Sequence, residues 1–177
     1  MKKFIKELIP YIIIIIVVML IRTYLVTPVI VSGDSMYPTL KNNEVLLLSK
    51  ITYRVSDIER FDVVVINVNK DLPNGKKLKT KIIKRVIGLP GEYIEYKNNT
   101  LYVDGKELDN EYNFETKDFS LEDISRHTKI PEDKYLVLGD NRSVSADSRE
   151  IGLISKKDIS GMAIFRIWPI TKLSKVK

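Results

Sequence analysis

The sequence has no cysteine, and its 177 residues include a single histidine, His127. The first absence excludes disulfides and any metal site built on thiolates. It says little about compartment, because many exported bacterial proteins also do without cysteine. The second leaves one imidazole for a Ser–His–Asp arrangement, in the polar stretch Ser125-Arg126-His127-Thr128, where an exposed loop residue is the simpler reading. There is no internal repeat, no low-complexity tract and no interleaving of aromatic with basic residues. Nucleic acid is therefore set aside as a partner, and the net charge of +6 is read as a basic solvated face or as contact with an anionic membrane surface. No cofactor and no metal site are expected. The 44% apolar content is ample for a core, and the length suits one domain plus an extra element.

That extra element stands at the start. Residues 8–21 carry no charge and include the run Ile12 to Val18. Extended to Val26, past Arg22, the stretch reaches about twenty residues, enough at 1.5 Å each to cross a ~30 Å hydrocarbon layer. Arg22 can snorkel, and Tyr11 and Tyr24 can sit near the interfaces. A cleaved signal peptide is the first alternative, but no small-x-small pattern follows. A buried core helix is the second, and it is unusual for one so uniformly apolar. The expectation is a membrane anchor over 8–26 preceded by a cytoplasmic segment, 1–7. Lys2, Lys3 and Lys6 orient it so that 27–177 forms a domain on the extracytoplasmic face of the cell membrane.

After the anchor the pattern turns to strands. Glu44–Leu48, Asp62–Val68, Lys81–Gly88, Tyr135–Leu138 and Met162–Trp168 are short apolar or β-branched runs between turn residues. Asp104-Gly105 lies between two extended arms and predicts a hairpin. Lys70–Lys77 reads as an exposed loop. Residues 109–133 read as an irregular polar insertion with one helical turn near Leu121–Ile124. The expected class is mainly β, a coiled antiparallel sheet or barrel-like core behind one N-terminal transmembrane helix.

Three stretches carry chemistry. Gly33 and Pro38 bracket a bend that lifts Ser35 out of an extended segment. A serine hydroxyl is a poor nucleophile until a base takes its proton. Lys84 is the candidate base, because Ile82 and Val86 share its face of a strand and surround the ammonium with apolar groups. Lowering a lysine from about 10.4 to near neutrality costs the charged form roughly 4 kcal/mol, which burial or a nearby cation supplies. Taken alone, Lys84 is a snorkelling strand lysine and Ser35 a turn serine. The third stretch, Gly139–Arg149, is a glycine turn and a loop dense in hydroxyls and opposite charges. It can donate a hydroxyl that aims an uncharged amine.

Ser32–Leu40, Lys84–Glu92 and Gly139–Arg149 together resemble, in order and spacing, the boxes of bacterial type I signal peptidases of the Gram-positive type. The preceding apolar segment and Phe165–Pro169 fit as well. The resemblance implies a membrane-bound serine endopeptidase acting on secreted preproteins that carry signal peptides, through an acyl-enzyme. It makes Ser35 the nucleophile and Lys84 the general base, with Ser145 orienting the lysine amine. Asp147 and Arg149 become an ion pair that shapes the site, supported by Asp140 and Arg142. The Ser35 amide forms part of the oxyanion hole. The substrate cleft is expected at Val29, Ile30, Val31, Met36 and Ile83, with small pockets for alanine-like side chains. Gly33 stands where some members carry a serine that helps the oxyanion, Phe61 where glycine is frequent, and Glu92 where aspartate is.

Two rivals remain. A self-cleaving repressor-type peptidase uses the same chemistry, but the apolar segment and the missing DNA-binding motif weigh against it. An inactive membrane-anchored β domain, a binding or scaffold module of the secretion machinery, belongs to another class.

Overall fold

Runs of aliphatic and β-branched residues between glycine, proline and asparagine turns become strands, and they build most of the regular structure after Leu25. The computed structural model describes residues 2–20, 25–51, 57–71, 77–109, 111–112 and 114–176. The strands are β1 (Val26–Ile30), β2 (Val45–Ser49), β3 (Val63–Asp71), β4 (Lys77–Gly88), β5 (Ile94–Lys97) and β6 (Thr100–Val103). They continue with β7 (Lys106–Glu107), β8 (Phe119–Ser120), β9 (Lys134–Leu138), β10 (Ile154–Ser155), β11 (Ile159–Trp168) and β12 (Ser174–Lys175). The larger sheet runs β1-β2-β11-β3-β4-β9-β10 with β12 added to β11, and the smaller one runs β7-β6-β5-β8. Every pairing is antiparallel, as the mainly β reading expects.

The larger sheet is strongly coiled. Three strands separate β1 from β4, yet residues of both line one small cavity. Laid flat at about 4.8 Å per strand, the two would stand roughly 19 Å apart. The coiling has a local cause in β11, whose register slips between Ile159 and Gly161, between Ala163 and Phe165, and between Arg166 and Trp168. Such bulges bend and twist a strand. One buried cluster, with Val64, Ile66, Val86 and Val137, packs against β3, β4 and β9. A second, with Val31, Met36, Leu40 and Leu46, lies beneath the Ser35 turn. The third fills the smaller sheet.

Several expectations change in detail. β3 and β4 are longer than the sequence suggests and pair from Val63↔Arg85 out to Asp71↔Lys77, so residues 70, 71 and 77 of the expected loop are strand, and 72–76 lie outside the described residues. The 109–133 stretch is partly structured. Phe119–Ser120 joins the smaller sheet, Leu121–Ile124 forms the expected helical turn, and Leu121 and Ile130 are buried in the third cluster. His127 is exposed.

The N-terminal segment needs a correction. The helix is Lys2–Leu20, 19 residues long, and among the described residues no helix is long and apolar enough to cross a membrane. Its uncharged part, 8–20, covers only about 20 Å at 1.5 Å per residue. Residues 21–24, with Arg22 and Tyr24, lie outside the described residues, and Val26 already begins β1.

Candidate active site

The turn that carries Ser35 is fixed from both ends. Val31 N–H donates to Glu44 O at 2.8 Å and Val31 O accepts from Asn43 N–H at 2.9 Å, which continues the β1–β2 pairing past Ile30. Gly33 then takes φ 88, a left-handed conformation open to glycine, and its N–H donates to Asn42 Oδ1 at 3.0 Å. Tyr37 N–H donates to Asp34 O and Leu40 N–H to Met36 O, closing the turn. Met36 and Leu40 are buried below it, which leaves Ser35 half-exposed above. No hydrogen bond among the described residues engages the Ser35 amide.

Lys84 lies opposite Val64 in the β3–β4 register and is 2% exposed. Its Nζ is 2.8 Å from Ser35 Oγ, and it also donates to Ile83 O at 3.0 Å. Burial pulls the Lys84 pKa below the ordinary lysine value, and the charges of Asp147 and Asp140 offset part of the fall. The two side chains, 49 positions apart, thus form a hydrogen-bonded pair in which burial disfavours the charged form of the amine.

The third stretch packs directly on this pair. Gly139, at the end of β9, is the point of closest approach. A Cβ there would stand 2.1 Å from Ser145 Oγ and 2.5 Å from Ser35 O. Asn141 N–H donates to Ser35 O at 3.0 Å. Asp147 is fully buried, accepts from Gly139 N–H at 2.9 Å and pairs with Arg149, whose Nη2 donates to Arg142 O. The expected Asp147–Arg149 pair is therefore present. Among the described residues Ser145 Oγ, which is buried, has no hydrogen-bond partner, and the second contact of the Lys84 amine goes to Ile83 O.

Asp140 and Arg142 support the loop separately. Asp140 receives Nε and Nη2 of Arg85 at 2.9 and 2.7 Å, with both side chains at 0% exposure. Arg142 Nε donates to Gly139 O, and its Nη1 donates to Thr116 Oγ1 and Tyr96 OH. Among the described residues it has no carboxylate partner.

Val29, Ile30, Val31, Met36 and Ile83 all line one cavity of about 110 Å³ beside Ser35 and Lys84. Ser32, Gly33, Val65, Lys81 and Ile82 complete it. β1 is an edge strand, and β4 pairs with β9 only from Arg85 onward, so two strand edges border the cavity. Sequence reasoning missed the β4 edge and the pairing of Arg85 with Asp140. It also missed the contact role of Gly139. A glycine between an apolar strand and a hydroxyl-rich loop was the only signal for the last.

The model for "Signal peptidase, peptidase S26" matches residues 2–168. Signal peptidase I P of Bacillus subtilis subsp. natto is 43% identical over 169 residues, covering 92% of this chain and 88% of its own. Signal peptidase IB of Staphylococcus aureus is 39% identical over 185 residues, covering 94% and 93%. The crystal structure of a signal peptidase I from Enterococcus faecalis V583 is similar at a TM-score of 0.51 and 34% identity, over 61% of this chain and 97% of that one. The chain belongs to the signal peptidase family, peptidase S26.

Proposed function

We propose that the chain is a membrane-bound serine endopeptidase that removes signal peptides from exported preproteins, with Ser35 as nucleophile and Lys84 as general base. The observation that carries the reading is the 2.8 Å contact between Lys84 Nζ and Ser35 Oγ on a buried strand. A neutral Lys84 accepts the Ser35 proton as Oγ attacks the scissile carbonyl carbon. The oxyanion that forms is met by the Ser35 N–H, a donor of a kind worth roughly 3–4 kcal/mol in the transition state. As the C–N bond breaks, Lys84 passes the proton to the leaving amine. It then takes one from the water that hydrolyses the Ser35 ester. Ile83 O, which accepts from Lys84 Nζ at 3.0 Å, aims the amine, and the Asp147–Arg149, Asp140–Arg85 and Arg142 contacts hold the loop that carries Ser145 beside Gly139.

The substrate lies extended along the β1 edge. A cavity of about 110 Å³ suits small side chains of the alanine kind before the cut. The exposed apolar side chains from Leu8 to Leu20 support attachment of this segment to a bilayer, with the catalytic domain outside the cytoplasm.

The test is cleavage of a preprotein in detergent. Ser35→Ala and Lys84→Ala abolish it, and His127→Ala does not. A mechanism-based acylating inhibitor labels Ser35. Normal cleavage by a folded Lys84→Ala variant would sink the dyad, and an unlabelled, inactive wild type would favour the scaffold module.

A further inference from the structure

The segment just after the smaller sheet's hairpin has no part in the chemistry above, yet it touches both buried arginines of the site. Arg85 and Arg142 each fix the loop that follows β9. Arg85 does so through Asp140, next to the Asn141 N–H that donates to Ser35 O. Arg142 does so through Gly139 O, at the point where Ser145 and Ser35 come closest. The guanidinium groups are covered by Tyr112 on Arg85 and by Phe114 and Thr116 on Arg142. The Tyr112 ring lies 3.9 Å from Arg85 Cζ and packs on Phe61 at 4.9 Å between ring centroids. Phe61 O in turn accepts from Arg85 Nη1 at 2.8 Å. The Phe114 ring stands 5.6 Å from Arg142 Cζ, and buried Thr116 accepts from Arg142 Nη1 at 2.5 Å. Thr116 is held in place by Asn99 Oδ1, which accepts from its N–H at 2.7 Å.

We propose that Tyr112, Phe114 and Thr116 are positioning residues for the Ser35–Lys84 pair, a clamp that holds Arg85 and Arg142 and through them the Gly139–Asn141 turn against Ser35. The clamp rests on the dyad reading above. It supplies a role for a stretch that on sequence alone is only polar and irregular. Aromatic faces suit this task, because a buried guanidinium keeps its hydrogen-bonding edge for the loop while the ring covers its flat side. Without the ring, water reaches the Arg85–Asp140 pair and the turn loosens.

The test uses the full chain in detergent, with kcat, KM and Tm measured for Tyr112→Ala, Tyr112→Phe, Thr116→Val and Leu121→Ala. Tyr112→Ala and Thr116→Val lower kcat by about tenfold or more, because they misplace reacting groups. Their KM stays within about twofold, since the cleft is untouched. Tyr112→Phe keeps the ring and the wild-type rate. Leu121→Ala, in the core of the smaller sheet, lowers Tm and leaves kcat alone. The charges acting on the Lys84 amine are Asp140 and Asp147, paired with Arg85 and Arg149. Loosening Arg85 exposes the Asp140 charge, so the rising limb of the pH–rate profile moves to higher pH in Tyr112→Ala. A wild-type kcat in both Tyr112→Ala and Thr116→Val overturns the clamp, as does an equal kcat loss in Leu121→Ala. Ser35→Ala is measured beside them. Cleavage that survives there removes the dyad itself, whereas its loss with unaffected clamp variants removes only this proposal.

Discussion

Adding one methyl group at Gly139 tests the packing on which the whole site depends. An alanine Cβ at that position would lie 2.1 Å from Ser145 Oγ, 2.5 Å from Ser145 Cβ and 2.5 Å from Ser35 O. Relief requires a displacement on the order of 1 Å, since ordinary contacts of this kind start above about 3 Å. The glycine backbone cannot easily supply it. Its N–H donates to buried Asp147, and its carbonyl accepts from buried Arg142. Ser145 and the Ser35 backbone must therefore move instead. A misplacement of about 1 Å at reacting groups costs around a hundredfold in rate, or roughly 2.7 kcal/mol of barrier. The assay is kcat for preprotein cleavage by Gly139→Ala alongside its thermal unfolding. The expected result is a loss of about a hundredfold in kcat with a fold that still unfolds cooperatively. Adding Ser145→Ala does not restore the rate, because that change leaves both Ser145 Cβ and Ser35 O in the way. A Gly139→Ala enzyme close to wild-type kcat would refute the geometric argument.

Burial of Lys84 has a linked consequence for stability. Its folded pKa lies below the ordinary 10.5. Below the folded value both states are charged and the fold carries the cost of a buried ammonium. As pH rises through that value toward 10.5, the unfolded chain holds the extra proton, so stability rises and the cost vanishes. Lys84→Met is therefore inactive yet at least as stable as wild type at neutral pH, with an advantage that shrinks on alkalinisation. A markedly lower Tm for Lys84→Met at pH 7 would contradict this. The same lowered pKa places the rising limb of the wild-type pH–rate profile below the range of free lysine, and a rate that rises only above about pH 10 would show a charged resting amine. Asp140→Asn removes the carboxylate that receives two hydrogen bonds from Arg85, at 0% exposure of both side chains, and should cost about 3–5 kcal/mol in denaturant unfolding. A loss under about 1 kcal/mol would mean that water already compensates the pair.

Much of the site was legible because its determinants are local. A glycine and a proline around Ser35, isoleucine and valine on both sides of Lys84, and a strand running into Gly139 each state a conformation within a few residues. Asp104-Gly105 likewise gives the left-handed pair a tight hairpin needs, with φ 49 and 76. The neighbouring turn was less visible. Asn98 and Asn99 take φ 48 and 65 without any glycine, which asparagine tolerates and a simple turn signal does not single out. Phe61 is a stronger case. It holds φ 73, a left-handed conformation that favours glycine, and its ring packs on Tyr112.

By itself the amino-acid order determined which segments would be extended, where the chain would bend, and which serine, lysine and loop were the candidates for chemistry, since these follow from side-chain branching, periodicity and turn chemistry. Only the tertiary structure decided that Asp140 pairs with Arg85, 55 positions away, instead of with its neighbour Arg142. It also decided that β1 and β4 share a cavity across three intervening strands, and that a methyl group is excluded at Gly139. Those outcomes depend on strand register, on bulges in β11 and on the coiling they produce, and contacts between distant residues leave no mark in the neighbourhood of either partner.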